Sequence, residues 1–321
     1  MLLQALGQTW PPFVLVTGLL LVGRIAAADR LFDAVAARLA RAPLGATGLL
    51  LAALALVAAV TAVLNLDTAV VFLTPVLVHL ARQRGLDERP FLYGTVLMSN
   101  AASLLLPGSN LTNLLVGGPP MLPAGLAACA VTAAGVALLL RPTPSTASAA
   151  GPTARPGRVG IAATAGAAAL VVALPNPALP VLALGVGAHA ARRRRPRLDL
   201  RLPALLFVFA LALGVLARAW DAPADVVATS GRWTSAGLGA LASVLVDNLP
   251  ASVLLSSHQV AHPTALLVGL DVGPNLAVTG SLSAYLWWQA ARSVGARPSA
   301  LAYSALGLVL APLAAAAALL A

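Results

Sequence analysis

Three carboxylates stand inside otherwise lipid-like runs: Asp67 in LNLDTA, Asp247 in LVDNLPA and Asp271 in DVGPNLAVTGS. An ionised carboxylate at mid-membrane costs about 2.5–3.5 kcal/mol on insertion scales. Acids kept there bind a cation or carry a proton; the plainer alternative is that one of them caps a half-helix N-terminus. The polar residues at these points and in the separate interruption PGSNLTN are Asn65, Thr68, Ser109, Asn110, Thr112, Asn113, Asn248, Asn275, Thr279 and Ser281. These side chains supply neutral donors and acceptors that can replace the hydration shell of a small solute. Asn and Ser also glue packed helices together. Two matched sets at points of chain reversal favour a binding site over glue. Neither set contains an arginine, which disfavours a strongly anionic ligand unless helix N-termini hold it.

The elements that must position these groups are set by composition. The 321 residues are 60% hydrophobic and only 9% charged, whereas a soluble domain carries about 25% charged residues. The fold class expected is an all-α polytopic membrane protein. All 20 basic residues are arginine and the formal charge is +10. That charge suggests nucleic acid until the arginines are placed. The single cysteine, Cys129, excludes a disulfide framework and any CxxC metal site. No cofactor and no metal centre is expected. MLLQALGQTWPP has no basic n-region, so a cleaved signal peptide is not expected.

A crossing helix needs roughly 20 apolar residues. Spans are predicted near 11–28, 90–118, 120–140, 159–174, 176–191, 202–219, 264–290 and 299–321. The stretches 45–81 and 233–260 are bent at their polar centres and are predicted as hairpins that return to their own side. The segment from Asp29 to about Arg41 is predicted as an amphipathic surface helix. With both termini outside, all of the 20 arginines except Arg218 and Arg232 fall in inner loops, as the positive-inside rule requires. This holds if each bent stretch is re-entrant or crosses an even number of times. RRRRPR from Arg192 is then a topology anchor, not a nucleic-acid site. His79, His189, His258 and His262 are expected at interfaces, and Trp10, Trp220 and Trp233 at the outer aromatic belt.

Each half runs in one order: scaffold helices, a bent hairpin, then a span with a polar break. The first hairpin tip is Asn65-Leu66-Asp67, and the first break runs from Pro107 to Asn113. The second tip is Asp247 to Pro250, and the second break runs from Asp271 to Ser281. The first hairpin opens from inside and the second from outside. Residues 1–140 are therefore expected to form a first repeat and 159–321 a second, inverted one. The Pro/Ser/Thr/Ala-rich stretch 141–158 joins them as an inner linker. Paired interrupted segments in corresponding halves are the best sequence pointer to a transporter's midplane site. Asp271, beside GPN, is expected to be the leading coupling group, with Asp67 its counterpart.

NLDTAVVFLTPV from Asn65, SNAASLLLPGSNLTNLLV from Ser99, DNLPASVL from Asp247 and GLDVGPNLAVTGSLSAYLWW from Gly269 together resemble the arsenite/antimonite efflux permeases of the ion transporter superfamily. The likeness runs in order along nearly the whole chain, and its last stretch is the most specific. It implies inverted repeats with re-entrant hairpins, related to dicarboxylate/sodium symporters. It also implies proton-coupled export of neutral arsenite or antimonite hydroxide across the plasma membrane, with a soluble ATPase as partner in some members and a homodimer as an open question. Two departures are visible. That family carries further scaffold helices ahead of the region where this sequence starts. Its hairpin tip has adjacent Asn and Asp, whereas Leu66 separates Asn65 from Asp67 here.

The runner-up within transport is an ion-coupled carboxylate carrier (citrate- or dicarboxylate-like) or a sodium/proton carrier of the same superfamily. An intramembrane protease built on two aspartates leaves the repeat plan unexplained. A non-transporting scaffold leaves three embedded acids unexplained. With no GxxxxGK[ST] motif in the chain, ATP hydrolysis would have to come from a partner.

Overall fold

A computed structural model describes residues 2–119, 121–145, 155–174, 176–193, 207–208, 211–213, 215–216, 220 and 222–321. Among them the regular elements are all helical. In the first half these are α1 (Leu2–Ala28), α2 (Leu31–Arg41), α3 (Ala46–Val63), α4 (Leu66–Gln83), α5 (Arg89–Ala102), α6 (Leu111–Val116) and α7 (Leu122–Leu140). The second half has α8 (Arg158–Ala173), α9 (Ala178–Ala191), α10 (Ala222–Thr229), α11 (Arg232–Val246), α12 (Asn248–Leu255), α13 (Pro263–Val272), α14 (Leu282–Ser293) and α15 (Ala300–Leu320). Most of the predicted span 202–219 and half of the 141–158 linker lie outside the described residues, as do Arg194, Arg195, Arg197, Arg201 and Arg218.

Helices α3, α7 and α15 are each long and apolar enough to cross a bilayer, and the chain is a multi-pass membrane protein. At 1.5 Å per residue the 19 residues of α7 span about 28 Å. Its two ends mark two rims of the molecule. On the first rim Arg84 donates to the carbonyls of Ala40, Ala42 and Leu44, and Arg82 pairs with Glu88 and donates to the carbonyl of Val294. The Asp87 amide bonds the Thr143 carbonyl just beyond α7. Asp29, buried at the end of α1, accepts from the Gly160 amide and from Arg192. At the opposite end of α7, Met121 lines a cavity together with Arg232, His262 and Ala321. The first hairpin, α3–α4, thus leaves and rejoins the first rim. The second, α11–α12, leaves and rejoins the other, where His258 meets Asp225 of α10.

The two hairpins differ in reach. The 18-residue arms α3 and α4 each span about 27 Å, long enough to cross alone. At their tip the charge of Asp67 bears on Asp247 of the other hairpin. The eight residues of α12 span only about 12 Å, so that hairpin turns back inside the protein. Hairpins and breaks are exchanged between halves: α4 packs against α14 and α12 against α6. Helix α2 is amphipathic, with Phe32 buried and stacked on Phe72 of α4. Of the histidines expected at interfaces, His79 is exposed, whereas His189 is buried and bonds the Gly185 carbonyl one turn back in its own helix.

If the arginine-rich first rim faces inward, a cysteine replacing exposed Thr143, in a Cys129→Ala background, escapes an impermeant thiol reagent in intact cells. The same cysteine is labelled in everted vesicles. Labelling in intact cells would reverse the orientation.

Candidate functional site

Polar residues at the breaks first do local work. Burying a helix end leaves N–H and C=O groups without partners, and each of α4, α6, α12 and α14, which start at a tip or a break, begins on a side-chain cap. The Asn65 Oδ1 accepts from the Thr68 amide at 2.7 Å, and the Asn110 Oδ1 from the Thr112 amide at 3.3 Å. Asp247 accepts from the Leu249 amide at 3.1 Å, and Ser281 from the Ala284 amide at 3.3 Å. The capping alternative therefore describes Asp247. Its backbone, at φ 74° and ψ 150°, occupies a region almost confined to glycine, a strain that persists only where surroundings over-determine it.

Asp271 caps nothing. It lies in the last turn of α13 with 0% exposure. One carboxylate oxygen, Oδ1, accepts from the Asn110 Nδ2 at 2.8 Å and the Thr112 Oγ1 at 2.6 Å. Both donors come from the break in the other half. The second oxygen, Oδ2, is buried without a partner among the described residues. A buried polar atom left unpaired costs about 1–3 kcal/mol, more when charged. Oδ2 is therefore the point where a proton, a cation or a solute O–H donor has most to contribute.

Next to this pair the chain Ser103–Asn113–Ser109 tightens the first break. The Asn113 Nδ2 donates to the Ser103 carbonyl at 2.7 Å, and the Ser109 Oγ donates to the same carbonyl at 2.5 Å. The Asn113 Oδ1 is another buried, unpartnered acceptor.

Asn275 plays a different part. The Asn100 Nδ2 donates to its Oδ1 at 2.8 Å, and its own Nδ2 donates to the Leu97 carbonyl at 3.1 Å. Tyr303 donates to the carbonyl of Pro274 at 3.0 Å. Ser283, linked to Ser281 at 2.7 Å, donates to the Asn100 Oδ1 at 3.3 Å. The second break is thus latched to α5 of the first half. Asn100, Ser103, Ser283 and Tyr303 were not singled out from sequence. The spacing of Ser99, Asn100 and Ser103 on one face of a helix was the signal available.

Two further positions fall elsewhere. Thr68 sits where a β-carbon at Gly23 of α1 would lie 2.5 Å from its methyl, so it packs on the scaffold. Thr279 is exposed and bonds the Val244 carbonyl at 3.1 Å, stapling the break to α11. Asn248 is buried beside Asp247 at the start of α12.

The second break also needs a bare backbone neighbour. A β-carbon on Gly307 of α15 would lie 1.7 Å from the Asn275 carbonyl oxygen. Gly307→Ala should therefore push α15 off the break and cost about 1–3 kcal/mol, as overpacking does. Melting of the purified protein in detergent reads this as a lowered midpoint; an unchanged midpoint would mean the contact is slack.

Residues 4–284 match the profile of a family described as citrate transporter (CitMHS). The chain belongs to this family. It is a transporter family of the ion transporter superfamily, and the chain is a membrane transporter of that type. Among solved structures the chain is similar to the YdaH transporter of Alcanivorax borkumensis, described as having an unusual topology. The TM-score is 0.55 with 13% identity, covering 99% of this chain and 86% of that one. A likeness at that identity concerns the fold alone. No curated protein matches the sequence.

Proposed function

We propose that this family member exports a small neutral polyhydroxyl solute, arsenite or antimonite hydroxide, in exchange for protons. The observation that carries this reading is the Oδ2 of Asp271, buried and unpartnered beside a carboxylate oxygen that already accepts two bonds. A proton on Oδ2 makes the site neutral. A solute O–H donor bonds Oδ2 far more strongly once that proton has left, because the ionised oxygen is the stronger acceptor. Competition between proton and solute for this one oxygen is the basis of the exchange. The surroundings of Asp271 are neutral Asn and Thr groups, suited to solute hydroxyls, and the described arginines stand in or beside the rims. A polyanion would bring its charges against Asp271 with no cation to offset them.

In this reading residues 1–140 and 159–321 are two inverted repeats joined at the inner face of the plasma membrane through 141–158, with both termini outside. Asp67 and Asp247, one at each hairpin tip, would form a second acidic point on the proton's path. A soluble ATPase and a second copy of the chain are candidate partners that the site does not require.

A second reading, ion-coupled citrate transport, is favoured by the description of the matched profile. Expression in a bacterial host stripped of its own metalloid pump and citrate carriers separates the two. The proposal predicts restored growth on arsenite and antimonite with no citrate uptake. Citrate uptake without metalloid tolerance would overturn it in favour of the second reading.

A further inference from the structure

Two cavities lie on the second-rim side of the site. The larger, about 510 Å³, is lined by the starts of α7 and α13, the end of α15, Arg232 and His262. The smaller, about 20 Å³, is lined by Leu104, Leu106, Pro107, Asn113 and Leu267, among others. Among the described residues their linings share Met121 alone. Met121 is buried, 6% exposed, and packs with Leu104 and Leu267. The smaller cavity ends at Asn113, whose Oδ1 is buried and unpartnered. Asn113 is one residue from Thr112, which holds Asp271.

We propose that Met121 is the plug of the solute's route between the second-rim vestibule and Asp271. The proposal rests on Asp271 being the solute site. A cavity of about 20 Å³ holds roughly one water molecule, so no polyhydroxyl solute fits beside Asn113 as the walls stand. Methionine suits a plug because it is unbranched, with three rotatable bonds and a polarisable sulfur, and repacks at small cost. Both linings meet at its side chain, so the plug opens through a rotamer change of Met121. The vestibule bears Arg232 and His262, with no Asp or Glu side chain in its described lining. Asn113 is the first polar acceptor met beyond the plug.

The test is the rate at which a small, impermeant methanethiosulfonate modifies a cysteine at Leu106, in a Cys129→Ala background. Leu267→Cys serves as a second reporter from the opposite wall. The reagent is applied to the face where Arg232→Cys reacts. Relative to Met121, Met121→Ala should speed modification about tenfold, equivalent to about 1.4 kcal/mol of barrier. Met121→Trp should slow it comparably and lower arsenite flux in the chain with its native Leu106. Equal rates in all three backgrounds, at both reporters, would overturn the route. The rates do not depend on which solute is carried. A rate response without any arsenite exchange would leave the route standing and count against the substrate assignment alone.

Discussion

Asp271→Asn should leave the protein folded yet make metalloid flux in everted vesicles indifferent to an imposed pH difference. The substitution is nearly isosteric. An asparagine Oδ1 still accepts from Asn110 and Thr112, so the 2.8 Å and 2.6 Å bonds survive. What disappears is the carboxylate oxygen beside Asn110 and Thr112 whose proton can come and go. Wild-type vesicles, acid inside, should accumulate arsenite well above their level without a gradient. In the variant that ratio should fall to about one, with residual downhill flux driven by solute alone. A variant that still follows the gradient as wild type does would shift coupling to the Asp67–Asp247 pair at the hairpin tips.

The second large effect separates two asparagines that sequence treats alike. Asn110→Leu removes a donor from Asp271 and the cap of α6. Loss of the cap costs about 1 kcal/mol, so the protein should remain folded, but transport should be lost. Asn275→Leu strands the buried Nδ2 of Asn100 and unlatches the second break from α5. That deletion should cost about 1–3 kcal/mol and lower the melting midpoint more than Asn110→Leu does. Adding Asn100→Leu to Asn275→Leu should cost less than the sum of the single changes, because the stranded partner is removed with it. Normal stability of Asn275→Leu together with lost solute binding would place Asn275 in the ligand's contact shell instead.

Much of the architecture was legible because lipid leaves few options. With no water to satisfy backbone groups, polar interruptions in apolar runs must be buried in protein or face a cavity. LNLDTA, LVDNLPA, PGSNLTN and DVGPNLAVTGS therefore marked the tips and breaks before any contact was known. Arginine placement fixed which ends share a rim, and the network around Arg82, Arg84 and Asp29 gathers those ends together. The depth of the hairpins was not legible, since apolar arms of 8 and 18 residues read alike until their partners are seen.

Within the site, residue type could not separate capping from ligation. Asn65, Asn110, Asp247 and Ser281 all have the chemistry of caps and all serve as caps. Asp271 stands apart only through contacts made across the chain by Asn110 and Thr112. Thr68 turned toward Gly23 for want of a side chain there, a fact held in tertiary packing and invisible in NLDTA itself. The Asn100–Asn275 latch needed the separation of 175 residues to be closed first.

Competition between a proton and a solute hydroxyl for the Oδ2 of Asp271 is the centre of this account, and arsenite affinity as a function of pH tests it most directly. Purified protein should bind arsenite more weakly as pH falls. Below the titration of Asp271 the apparent Kd should rise about tenfold per pH unit, since one proton must leave before one solute binds and a tenfold change corresponds to about 1.4 kcal/mol. Asp271→Asn should flatten that slope. Affinity that is independent of pH in the wild-type protein, or that tightens on acidification, would contradict the shared oxygen and with it the exchange mechanism.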